Sequence, residues 1–284
     1  YAPRSFLYEK SGDGWRKLGT ATQGEWYDGV QLWNNGRKLA LTNSTGSHYR
    51  WEIIAGPKGA VPQPTPYTDD PHNARVTLRA FAVLPSGEVF TVGIDASQKF
   101  TCAVERWAIG ATKGVVDVLP PPASGYAADP KGIVATRPNS VYVYGDTYKI
   151  EGLIFGKKAG AYLAHFDGTA WSLLATPSNA GISMLAVGDN AVWALGGGVL
   201  FKQRLGKADW DLVPMPSEDE VRKAVVDELP FFKDKPVELK VSQLHVDEQN
   251  MVWLGATAGQ SLYVILRNRP FSSIWRASRL GADR

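Results

Sequence analysis

One cysteine in 284 residues, Cys102, excludes an internal disulfide and any cysteine-built metal centre. Histidine is nearly as scarce. His48, His72, His165 and His245 lie far apart with no H-x-x-x-H or H-E-x-x-H pair, which argues against a histidine-held metal. Long apolar runs are missing, and none approaches the ~18 residues of a membrane-spanning helix. An excess of one charge is missing too. Lys plus Arg number 31 and Asp plus Glu 28, a formal +3 that does not mark a nucleic-acid or anionic-membrane binder. There is no G-x-S-x-G elbow and no P-loop. Gly196-Gly197-Gly198 lies between two strand-like runs. It reads as a tight turn, because a phosphate cradle would need a helix next. Nothing calls for a cofactor or a metal.

What the chain does have is ten Trp and 29 Gly, more aromatic anchors and more turn residues than its size requires. They fall into a repeat. Five segments read as apolar strand, tight polar turn, apolar strand: GVQLWNNGRKLALT, AFAVLPSGEVFTVG, GIVATRPNSVYVYG, MLAVGDNAVWALG and QLHVDEQNMVWLGA. Gly and Asn in the turns suit the positive φ of short hairpins. The strands are apolar on both faces, so both must be covered. Leu39, Phe90, Tyr142, Trp193 and Trp253 are equivalent anchors, spaced by 51, 52, 51 and 60 residues. A period near fifty with several strands per unit predicts propeller blades, four-stranded antiparallel sheets packed face to face. The outer halves recur as well: Asp13-Gly14-Trp15, Asp167-Gly168-Thr169-Ala170-Trp171 and Asp209-Trp210 are turn-then-Trp motifs.

FDGTAW, then Thr176-Pro177, then ISMLAVGDNAVWALG resembles the degenerate F-D-G-x-x-W … V-W-x-x-G repeat of secreted bacterial β-propeller proteins, akin to Asp-box and kelch propellers. The match is good over about Ala161 to Gly196. It implies an exported all-β propeller and transfers no catalytic residue, because that family has no common activity. The expected fold is one β-propeller domain over 1–284, with five four-stranded blades, or six or more if the chain is a fragment. Six outer hairpins are counted, near 6–18, 47–54, 102–119, 161–174, 199–213 and 261–277. The five-blade reading has the N-terminal strands complete the last blade as a clasp, which avoids an exposed strand edge. The alternative makes 6–18 the outer half of a further blade. The long last interval holds an insertion. Ser217 and Glu220 form a capping box, and Val221, Val225 and Leu229 a stripe ended by Pro230, which predicts a helix over 218–229. The opening Tyr1-Ala2-Pro3, without Met, fits a processed product, extracellular or periplasmic.

Length concentrates in the stretches 57–76, 94–100, 119–131, 146–160 and 214–241, all expected as loops on one face at the channel mouth, where binding resides on rigid scaffolds. Within 57–76, Asp69, Asp70, His72 and Arg75 read either as a polar or cation site or as a capped turn before Pro71. Within 146–160, Asp146, Tyr148, Lys149, Lys157 and Lys158 could hold a sugar or an acidic ligand. Phe155, with Leu153 and Ile154, could meet a partner or fold back as a loop core. Phe231 and Phe232 would anchor the inserted helix or an interface. Cys102 reads as a buried, inert thiol. The C-terminal Arg residues, among them Arg267, Arg276 and Arg279, read as the charged face of an edge strand, which discourages strand addition. The carboxylates near strand ends do not recur at equivalent repeat positions, so a five-bladed glycan hydrolase or lyase ranks below a binding module. The expected function is a non-enzymatic interaction module with a protein or glycan partner. The alternatives are a glycan-active enzyme or a piece of a larger extracellular assembly.

Overall fold

A computed structural model describes residues 6–11, 14–20, 25–33, 37–44, 49–55, 76–84, 86–95, 98, 101–108, 111, 114–152, 154–215, 217, 219–220, 239–247, 250–258, 262–268 and 275–279. The chain is all-β. β1 (Phe6–Ser11) and β2 (Gly14–Thr20) form a two-stranded sheet, and β3 (Glu25–Trp33), β4 (Arg37–Ser44) and β5 (Tyr49–Ala55) a three-stranded one. Four four-stranded sheets follow, each in sequence order. β6 (Val76–Val83), β7 (Val89–Asp95), β8 (Cys102–Trp107) and β9 (Val115–Val118) make the first. β10 (Tyr126–Arg137), β11 (Ser140–Glu151), β12 (Ile154–Phe166) and β13 (Trp171–Leu173) make the second. β14 (Met184–Val187), β15 (Ala191–Gly196), β16 (Val199–Arg204) and β17 (Trp210–Val213) make the third. β18 (Leu239–Val246), β19 (Val252–Ala258), β20 (Leu262–Asn268) and β21 (Trp275–Arg279) make the fourth.

All five inner hairpins expected from the repeat are present, as β3–β4, β6–β7, β10–β11, β14–β15 and β18–β19. Their turns behave unequally. Gly87 (φ 91°) and Asn250 (φ 58°) supply the positive φ, whereas the turns at Asn139 and Asn190 manage without it. Gly197 (φ 61°) and Gly198 (φ 79°) form the two-residue turn from β15 to β16, with no helix after them. Alanine at Gly196 would overlap the Gly181 carbonyl, so the middle strand ends where the backbone closes in.

The contacts divide the chain into two compact units. Unit 1 holds Tyr1–Val143 and Ala164–Ser172, and unit 2 holds Tyr144–Leu163 and Leu173–Arg284. In unit 1 the first strands of successive sheets lie against one another, β3 against β6 and β6 against β10. In unit 2 β14 lies against β18 in the same way. Their cores therefore fill the space between sheets. In unit 2 that core is Ala191, Trp193, Leu195, Leu200, Val252 and Leu254, with Met184, Val241 and Leu244 packed beside it. Every residue of β15 is buried, as two-sided apolarity requires. Each fully buried leucine here contributes about 1.5–3 kcal/mol over leaving it in water.

The turn-then-Trp motifs tie neighbouring segments together. In unit 1, Trp171 Nε1 donates to Asp117 Oδ2 at 3.4 Å, and Asp117 also holds Arg106 in an ion pair at 2.7 Å. The Arg106 guanidinium lies 5.0 Å over the Phe166 ring. In unit 2, Trp210 Nε1 donates to the Ala175 carbonyl at 2.8 Å.

Two expectations need correction. The N-terminal strands do not complete the last sheet. β20 and β21 already give it four strands, in register from Val264↔Arg279 to Asn268↔Trp275, and β1 and β2 pair with each other. Nor is 146–160 a loop: β11 runs to Glu151 and β12 starts at Ile154. Likewise β10 takes over from Tyr126 within the stretch 119–131. The Ser217–Glu220 capping box is formed, with Glu220 N–H donating to Ser217 Oγ at 3.2 Å and Ser217 N–H to Glu220 Oε2 at 2.8 Å. Residues 221–238, the rest of the expected helix with Phe231 and Phe232, lie outside the described residues.

Candidate functional site

The β11–β12 hairpin is the feature that departs most from the repeat. Its strands have 12 and 13 residues, whereas the equivalent β15 and β16 have 6 each. The extension is built locally. Beyond Thr147, half-buried Tyr148 and Ile150 alternate with exposed Lys149 and Glu151, the period-two pattern of a strand with one covered face. Gly152, at φ 65°, then turns the chain.

At the base of the extension, within unit 2, Asp146 is buried with its side chain 2% exposed. Lys158 Nζ from β12 pairs with its Oδ1 at 2.9 Å and also donates to the Ala180 carbonyl at 2.9 Å. A carboxylate taken out of water needs such a cation, because an unpaired buried charge is costly. Gly181 next door sits at φ 88°, and a Cβ there would overlap both Asp146 Oδ1 and Lys158 Nζ. Thr147 Oγ1 donates to the Ala161 carbonyl at 3.0 Å, and the Ile182 N–H to the Gly145 carbonyl at 3.5 Å. Farther along, the Tyr148 and Phe155 rings meet edge to face at 5.5 Å, a favoured aromatic geometry. Phe155 remains exposed, as do Lys149 and Lys157.

The structure therefore gathers six of the sequence candidates on one hairpin but gives them different work. Asp146 and Lys158 hold each other, Tyr148 supports Phe155, and Lys149 and Lys157 face solvent. Asp69, Asp70, His72 and Arg75 lie outside the described residues. The parts that sequence reasoning missed are Ala180 and Gly181. No local signal could reveal them, because they come from a separate connection. The alternation of Tyr148, Lys149, Ile150 and Glu151 could have revealed the strand.

Other carboxylates are engaged in holding turns. Asp167 Oδ1 accepts the N–H groups of Thr169 and Ala170, which keeps its carboxyl below the usual range. Asp247 accepts the Met251 N–H at 2.8 Å and Trp253 Nε1 at 2.6 Å. Asp189 and Asn250 join two inner turns of unit 2, the Asp189 N–H donating to Asn250 Oδ1 at 2.8 Å. Among the described residues no cluster of three or more His, Cys, Asp or Glu could hold a metal ion.

No family model matches the chain, and no curated protein matches it. Solved structures are similar to it in fold. AofleA from Arthrobotrys oligospora aligns with a TM-score of 0.52 at 10% identity, over 94% of this chain and 77% of that one. A triple arginine-to-alanine mutant of AofleA gives 0.51 at 10% identity, over 95% and 78%. A post-proline cleaving enzyme from Rickettsia typhi gives 0.49 at 10% identity, over 95% of this chain and 41% of that one.

Proposed function

We propose that the chain is a β-propeller interaction module, exported from the cell, that binds a protein or glycan partner through the β11–β12 hairpin. The propeller reading is supported by the sheets in strict sequence order and by first strands packed side by side within each unit. The repeat of secreted bacterial propellers supports it from the sequence side. The binding role rests on one observation. The hairpin projects an exposed aromatic, Phe155, braced by Tyr148 and flanked by Lys149 and Lys157, on strands whose base is pinned by the Asp146–Lys158 pair. Aromatic side chains on a rigid support bind with little loss of conformational entropy. The engaged state of Asp117, Asp146, Asp167 and Asp247 favours this reading over acid–base chemistry, which needs a carboxylate poised for proton transfer.

The test compares the native chain with a Tyr148→Ser, Phe155→Ser, Lys149→Ser, Lys157→Ser variant on glycan arrays and in photo-crosslinking from exposed position 151. Binding should fall at least tenfold while the fold, followed by far-UV circular dichroism, is retained. Equal binding by both chains would remove the hairpin from the function.

A further inference from the structure

We propose that Asp146 and the Ala180 carbonyl form an ammonium seat, which Lys158 fills in the free chain and which a lysine side chain of a protein partner can take over. The inference rests on the hairpin being the binding element and names what that element recognises.

The seat is defined by its acceptors. Asp146 Oδ1 and the Ala180 carbonyl oxygen each lie 2.9 Å from the same nitrogen, Lys158 Nζ. The carboxylate is shut off from solvent, with 2% of its side chain exposed, so the cation beside it offsets the cost of burying its charge. The Lys158 side chain is different: 39% of it is exposed, so it enters from the solvent side. Once Lys158 swings out, an outside ammonium has the same route. Space for the nitrogen is kept by Gly181, where any side chain would overlap both charged atoms. The occupant already present is a primary ammonium on a flexible aliphatic stem, and that is the ligand chemistry the seat selects.

Exchange leaves the burial of Asp146 compensated throughout. An outside ammonium competes only with a tethered one, whose effective concentration is on the order of millimolar for a short flexible tether. A free amine alone therefore displaces Lys158 poorly. A partner lysine, delivered by contacts with Phe155 and Tyr148 nearby, does so readily. In the free chain the pair closes the seat and keeps the hairpin joined to the segment carrying Ala180.

The test uses the full chain with Lys158→Ala, which empties the seat, and with Lys158→Ala combined with Asp146→Asn, which removes its charge. n-Butylammonium chloride is the probe, with sodium chloride and n-butanol as controls. Lys158→Ala should lower the melting temperature, and tens of millimolar butylammonium, which meets no tethered competitor in that variant, should restore at least half of the loss. Neither control should do so, and the double variant should not respond. Failure of butylammonium, or equal rescue by sodium chloride, overturns the seat. Nα-acetyl-lysine amide should replace butylammonium, whereas glucosamine should not. Rescue by glucosamine alone would overturn the assignment to a lysine.

Should Lys158→Ala fail to fold, Lys158→Ser is the second variant, and it also leaves the path of the stem open. There the Gly181 amide resonance must move with butylammonium and stay still with n-butanol, and no movement overturns the seat. Loss of the seat together with intact hairpin-dependent binding would leave the proposed function standing. Loss of both would remove it as well.

Discussion

Lys202 Nζ lies 5.1 Å from the centre of the Trp193 ring, its cross-strand partner on β15, and both residues are buried. The same pairing of residue types recurs at the other repeat anchors. Phe90 faces Arg106 in register, Tyr142 stacks on His165 at 4.4 Å, and Trp253 is the register partner of Arg267. A basic residue on the third strand thus accompanies the aromatic anchor of the second in each four-stranded sheet, and at Lys202 the Trp193 face offers partial compensation for burial.

That compensation is incomplete at Lys202. Burial lowers its pKa, Arg204 pushes the same way, and Asp211 opposes. The unfolded chain therefore holds this proton to higher pH than the folded one, so stability rises as pH climbs towards the ordinary lysine value. Lys202→Met keeps the stem, loses a cation–π term of about 0.5–2 kcal/mol and sheds the burial cost of the charge, so it should stay within about 1 kcal/mol of the native chain. Lys202→Ala should be worse than Lys202→Met by roughly 1–3 kcal/mol, because it also removes buried methylenes. Urea denaturation at neutral pH and near pH 10 checks both points, the native chain gaining on Lys202→Met at the higher pH. Equal stability of the Met and Ala variants would contradict the packing role of the stem.

His165 gives a pH dependence of its own. Burial beside Tyr142 lowers its pKa, and the nearby Asp167 carboxylate only partly reverses this. The folded chain prefers neutral imidazole. Its contribution is fully present above pH ~6.5, the unfolded value, and is lost as pH falls from there towards the folded pKa. A histidine titration by NMR should give a midpoint below 6.5, and Asp167→Asn should lower it further. His165→Phe should flatten the stability profile across that window. A midpoint above 6.5 would reverse the assignment.

The Asp167–Trp171 turn is sensitive at two positions. Gly168 has φ 100°, and a Cβ there would come 2.8 Å from Asn139 Cβ. Gly168→Ala should cost at least ~1–2 kcal/mol from backbone conformation alone. Asp167→Ala should lower the melting temperature at pH 7 by removing both backbone acceptor contacts. Its carboxyl pKa is depressed by those N–H groups, so the contribution is present above pH ~3.8 and lost as pH falls through the folded value. The two chains should converge in that acid range, as thermal scans against pH would show.

The inner hairpins were legible because their signals are local: two-sided apolar strands, turn residues and an aromatic anchor within about fourteen residues. The extension of β11 and β12 was not read, because Lys149, Glu151, Lys157 and the flanking glycines have loop-like composition. Partner choice by β1 and β2 was illegible for a different reason, since edge pairing depends on which strand already occupies the last sheet. The aromatic–basic pairs were hidden by variable connections. Arg106, His165, Lys202 and Arg267 follow their anchors by 16, 23, 9 and 14 residues, so no fixed spacing exposes them. The pairing of Asp146 with Lys158 was illegible because a loop reading of 146–160 gives no register, whereas the strands β11 and β12 bring the two side chains together.

Cys102 turns the burial of one sheet into a measurable rate. Its Sγ–H donates to the Ala128 carbonyl at 3.0 Å, and the residue is 4% exposed. Burial, helped by the Asp129 carboxylate and opposed by Arg79, pushes the thiol up to about 12. At pH 8 only about one native thiol in ten thousand is then ionised, and thiolate is the reactive form. Labelling by a disulfide reagent at pH 8 should therefore run at least ~1,000-fold slower in native than in urea-unfolded chain. With rising urea the rate should track the unfolded fraction, because β8 and β10 must separate before the sulfur is exposed. Labelling that stays fast without denaturant would show that these two strands part locally, and would place the weakest joint of unit 1 at Cys102 and Ala128.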